Sequence, residues 1–74
     1  MSTANLIIRA GEALWGERWQ AEMARALEVH KDTVQDWRQG RAQPRPGIYL
    51  DLLRIAVERQ AELDELVEAL RCKA

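Results

Sequence analysis

The sequence predicts an all-α fold of four to five helices with a central helix-turn-helix. Apolar residues recur at helical spacing, glycines sit where those periods stop, and no segment alternates as a half-buried strand would. Leu6, Ile7, Ala10, Ala13 and Leu14 share one side of a first helix, with Ser2, Thr3 or Asn5 as its N-cap and Gly16 as its stop. A second helix runs from about Arg18 to Leu27 with Trp19, Met23, Ala24 and Leu27 on one side, and Val29-His30-Lys31 makes the turn. A third, from about Lys31 to Gln39, has Val34 and Trp37 on its inner face and Gly40 beyond its end. Both prolines lie between Arg41 and Gly47, which reads as a loop. From Ile48 helical spacing resumes through Leu70, as one long helix or two broken near 58–61.

At 74 residues the chain holds one core, so residues 1–74 are expected to form a single domain. Hydrophobic residues make up 47% and charged residues 31%, the balance of a folded chain rather than a disordered one. The apolar run Leu6-Ile7-Ile8 is closed by Arg9, too short for a signal peptide, and nothing approaches a membrane span. The lone Cys72 has no partner within the chain, which agrees with a reducing compartment, so a cytoplasmic location with no membrane contact is expected.

The segment from Gln20 to Gln39 carries the functional reading. Two helices crossing steeply need a small residue midway along the first, and Ala24 supplies it. Val29, Val34 and Trp37 then lock the angle from inside, leaving the outer face of the second helix for a DNA major groove. At about 100° per residue that face presents Asp32, Gln35, Asp36 and Gln39, with Lys31 and Arg38 on one flank and Thr33 on the other. Glutamine matches the adenine edge, aspartate the cytosine amino group, and lysine or arginine the guanine edge. Lys31, Asp32, Thr33, Gln35, Asp36 and Gln39 are therefore the candidate base readers.

Formal net charge is −1, but its distribution is uneven. Arg38, Arg41 and Arg45 fall in a stretch with no acid between Trp37 and Leu50, whereas the chain beyond Leu50 is rich in acids. Together with His30 at the turn, these arginines are candidates for the phosphate backbone.

These residues carry a family resemblance. Trp19, Gln20, Ala24, Leu27, Val29, Thr33, Val34, Trp37, Gly40 and Pro44 follow a pattern similar to the short phage and bacterial helix-turn-helix regulators of the repressor-like superfamily. The likeness spans residues 15–47, and the stretch Glu58 to Leu63 resembles the tails of such proteins. The resemblance implies a dimeric, often autoregulatory transcriptional regulator from a phage or mobile element; some members sit beside anti-CRISPR genes. It also assigns Gln20 to a phosphate-contacting position and His30 through Thr33, with Gln35 and Asp36, to the base-reading face. Two departures stand out. Glu28 occupies a turn position that is usually glycine, where a left-handed backbone costs a side chain about 1 kcal/mol or more, so a remodelled turn is expected. Asp32 and Asp36, spaced i and i+4, repel each other and oppose phosphates unless nearby arginines pair with them.

Other chemistries find little footing. One histidine and one cysteine make no metal-ligand set, no nucleophile triad or phosphate-cradling glycine loop is present, and adjacent acids such as Asp64 and Glu65 point to different sides of a helix. No catalytic residue, metal or cofactor is therefore expected. Trp19 and Trp37, at helical spacing beside Met23 and Val34, read as core rather than as a base-stacking platform; Trp15 is less defined. Leu52, Ala56, Leu63, Leu66, Val67 and Leu70 exceed what one small head can cover and are expected to form a homodimer seam within 47–71. The competing reading is a helical protein-interaction adaptor that does not bind DNA.

Overall fold

A computed structural model describes residues 3–74, and every regular element among them is helical. Helix α1 spans Thr3–Trp15, a 3-10 turn covers Gly16–Arg18, and α2 (Trp19–Leu27), α3 (Lys31–Gln39) and α4 (Pro46–Lys73) follow. None of these helices is long and apolar enough to cross a membrane. Because α1 already runs at Thr3, Asn5 lies within its first turn and is not the cap; Ser2 falls outside the described residues.

The core is one cluster built by all four helices: Ile7 from α1, Trp19, Met23 and Ala24 from α2, Val34 and Trp37 from α3, and Leu52 from α4. Trp19 and Trp37 are 5% exposed, so neither ring is offered to a base. Trp15 packs against the same cluster at its edge. Of the apolar positions read onto α1, Ile7 is buried whereas Leu6 and Ala13 face outward.

α1 and α2 approach each other closely at Gly11. Gly16 takes a left-handed φ of 77°, ends α1, and lets the 3-10 turn bring the chain back on itself. Trp19 then lies flat against the backbone of α1 at Gly11, where an added Cβ would overlap the indole ring, with Cγ only 2.9 Å away and two further ring carbons nearer still. Glycine inside a helix costs about 1 kcal/mol relative to alanine. Here it is the residue that leaves room for the ring.

Two turns of the same design bound α3. Glu28 adopts φ 57° and ψ 43°, its N–H donates to the Arg25 carbonyl at 3.3 Å, and the Val29 N–H donates to the Ala24 carbonyl at 3.0 Å. The pair of bonds satisfies carbonyls at the end of α2 while Val29 packs into the core cluster. The expected remodelling at Glu28 does not occur: packing of Val29 and Ala24 holds the glutamate in a conformation that suits glycine better. Gly40 repeats the arrangement after α3 at φ 76°, with bonds from Gly40 N–H to Trp37 and from Arg41 N–H to Asp36.

Helix α4 is a single uninterrupted helix of 28 residues, about 42 Å long at 1.5 Å per residue. Pro46 opens it as a first-turn proline, so the loop is shorter than the stretch to Gly47 read from sequence. Only its first half belongs to the head. Tyr49 and Leu52 reach the core, and Ala56 lines a groove with Leu6 and Ala10 of α1. Arg59 ends the contact by donating from Nη1 to the Leu14 carbonyl at 2.7 Å, satisfying an end group of α1. From Gln60 onward every residue is exposed. The seam expected from sequence therefore divides: Leu52 is buried in its own chain and Ala56 is partly covered by α1, whereas Leu63, Leu66, Val67 and Leu70 stay between 42% and 58% exposed.

Two substitutions test this account by thermal melting. Gly11→Ala gains about 1 kcal/mol of helix propensity against an overpacking cost of about 1–3 kcal/mol, and should lower Tm by several degrees, since each kcal/mol moves Tm by roughly 4–8 °C in a domain this size. An unchanged or raised Tm would show that Trp19 does not sit on Gly11. Glu28→Gly relieves left-handed strain of about 1–2 kcal/mol, less the added chain entropy of glycine, and should raise Tm by a few degrees, roughly 4 °C. A fall would place the stabilising weight on the Glu28 side chain instead.

Candidate nucleic-acid interface

The surface built by α3 begins at its N-terminus. His30 takes an extended backbone, φ −71° and ψ 145°, and its Nδ1 accepts from the Asp32 N–H at 3.1 Å. That is an N-cap made by imidazole, and it requires the lone pair on Nδ1, hence a neutral ring with its proton on Nε2. His30 was a candidate backbone contact; in the structure its Nδ1 serves the helix, and Nε2 is left as the donor available to a phosphate.

Val34 is fully buried and Trp37 nearly so, which fixes the rotation of α3 about its axis. Lys31, Asp32, Gln35, Arg38 and Gln39 are consequently exposed. Asp36 and Thr33 are half-buried. Thr33 sits on the flank, lining an apolar cleft with Val29, Trp37 and Ile48, so it is the candidate reader least turned toward solvent. Asp32, Gln35, Asp36 and Arg41 line one open depression on the outer face.

The two acids on this face have local occupations. Because Gly40 is left-handed, the chain folds back and Arg41 lies over the last turn of α3, with its N–H on the Asp36 carbonyl at 2.9 Å and its Nε 3.3 Å from Asp36 Oδ1. Asp32 stands in the first turn of α3, where the helix dipole favours a carboxylate. The Arg41–Asp36 pair is solvent-exposed and contributes little to stability. Its effect is on the field of the surface: it offsets Asp36, while Lys31, Arg38 and Arg45 are cations there with no carboxylate partner among the described residues.

Gln20 is the second residue of α2 and half-buried, beside the first-turn N–H groups of that helix. Arg45 is exposed just before α4 and shares the cleft of Thr33. The candidate backbone residues thus belong to the start of α2, the end of α3 and the following loop. Among the described residues no group of His, Cys, Asp and Glu could hold a metal ion.

Two structural residues had no functional reading in sequence. Gly11 is signalled by its place inside an otherwise helical apolar stretch, which usually means a close approach. Arg59 interrupts the apolar stripe of α4 where a leucine would continue it, but its partner lies 45 residues away and no local pattern names it. No family model, curated protein or solved structure matched the chain.

Proposed function

We propose that the protein is a cytoplasmic, sequence-specific double-stranded DNA-binding regulator that acts as a homodimer on an inverted-repeat operator, most simply as an autoregulatory repressor. The observation that carries this reading is α3: its inner face is locked by Val34 and Trp37 against α1 and α2, and its outer face is polar and exposed. A helix held in this way presents side chains to a groove with little conformational freedom left to lose on binding. Lys31, Asp32, Gln35 and Gln39 are the readers, with Thr33 and Asp36 at the margin. Gln20, His30, Arg38, Arg41 and Arg45 hold the backbone, Arg41 only by sharing itself with Asp36.

The competing adaptor reading draws on Leu50, Leu53 and Val57, exposed on the flank of α4. Mobility shift across rising salt, beginning with DNA upstream of the protein's own gene, separates the two. No saturable shift on any fragment would leave the adaptor.

Three substitutions distinguish the roles. Arg45→Ala should weaken binding to all duplexes and reduce the salt slope by about one. Gln35→Ala should cost about 1–3 kcal/mol on the operator and little on random DNA; equal losses on both would remove it from the readers. Asp36→Asn has the opposite expected sign, strengthening non-specific binding and steepening the salt slope, because it releases Arg41 and removes a charge that opposes phosphate.

A further inference from the structure

The second half of α4 is an arm whose apolar stripe continues the one that packs in the head. Leu63, Leu66 and Leu70 fall on the same line as Leu52 and Arg59, with Val67 beside them. In the head this line is covered by α1, and past Arg59 it is bare.

The charges on either side of the stripe single out one occupant. Glu62 and Lys73 flank it on one side, Asp64 and Arg71 on the other. When two such helices pack antiparallel about a two-fold axis, each flank meets its own copy. Setting Leu63 level with Leu70 of a second copy brings Leu66 level with Val67. In that register, which also pairs Leu66 with Val67, Glu62 stands within two residues of the other copy's Lys73, and Asp64 within two of its Arg71, about 3 Å of helix rise. A parallel pair instead stacks Arg59 on Arg59 and Lys73 on Lys73 and lays the acidic run 58–68 against itself.

We propose that residues 60–73 of two copies pair antiparallel, Leu63 against Leu70, with the flanking charges setting direction and register. This deepens the homodimer part of the proposed function and rests on it. The two Arg59 residues are then 15 positions apart along the shared rod, about 22 Å, so the heads sit at its opposite ends rather than side by side.

The test uses the full chain with Cys72→Ser, so that each added thiol stands alone. In the antiparallel register a Leu63→Cys protein, or a Leu70→Cys protein, places its thiol about 10 Å along the axis from its own copy, beyond disulfide reach. Mixed together, the two thiols become level. The expected result under mild oxidation is a disulfide dimer from the mixture and none from either variant alone. Disulfides in either variant alone, or none in the mixture, overturn the proposal. Independently, Glu62→Lys and Lys73→Glu should each weaken dimerisation about three- to tenfold in sedimentation, and the double reversal should restore it. Failure of the double to recover overturns the charge-set register. No DNA is present in these measurements, so a monomer here removes the dimer while leaving DNA binding to its own shift assay.

Discussion

The placement of Trp19 in the notch at Gly11 is the contact on which the rest depends. It brings α2 close against α1, and α2 supplies Met23 and Ala24 to the core that α3 must pack on. Val34 and Trp37 close over that platform, and their burial decides which residues of α3 face outward. A bulkier residue at position 11 would displace Trp19 and rotate the outer face of α3 with it. The identity of one residue in α1, remote in sequence from any reader, thereby sets the geometry of the surface.

That coupling also accounts for the strain at Glu28. The angle between α2 and α3 is fixed by Ala24 and Val29, which are tied by a 3.0 Å bond as well as by packing. A turn with all its residues right-handed would move Val29 away from the cluster it packs against and forfeit part of the about 1.5–3 kcal/mol that a fully buried valine gains. Left-handed glutamate costs about 1–2 kcal/mol, so the partly buried valine and the closing hydrogen bonds are what it is set against.

Much of the head was legible because its determinants are local. Glycines at 16 and 40 stop α1 and α3, helical spacing places Val34 and Trp37 on the inside, and the outward residues of α3 follow from about 100° per residue. The extent of the core along α4 was only half-legible for a related reason. Periodicity shows which residues of α4 share a face but not where another element stops covering it. Leu52 and Leu63 have the same spacing signature, yet one is buried and the other half exposed because α1 ends at Trp15. The bond from Arg59 to Leu14 that marks this boundary spans 45 residues, and neither residue type announces it. The expectation of a remodelled turn failed for the opposite reason: it weighed local backbone strain without the tertiary contacts that override it.

The uneven charge reconciles a net charge of −1 with the DNA-facing role proposed for α3. On α3 the acids are held by Arg41 and by the helix start. In the first half of α4, Asp51 lies 3.7 Å from Arg54. The unbalanced acids begin at Glu58, 13 positions from Arg45 and about 18 Å along the helix from Pro46, more than twice the screening length of about 8 Å at physiological ionic strength. At that separation the acidic run scarcely weakens the field around Arg38 and Arg45. It instead acts locally on the arm, where the proposed pairing uses it to set the direction of a second copy. Acidity in one half of α4 and cations around its start are therefore compatible parts of one division of labour, and overall charge is the wrong quantity by which to judge either.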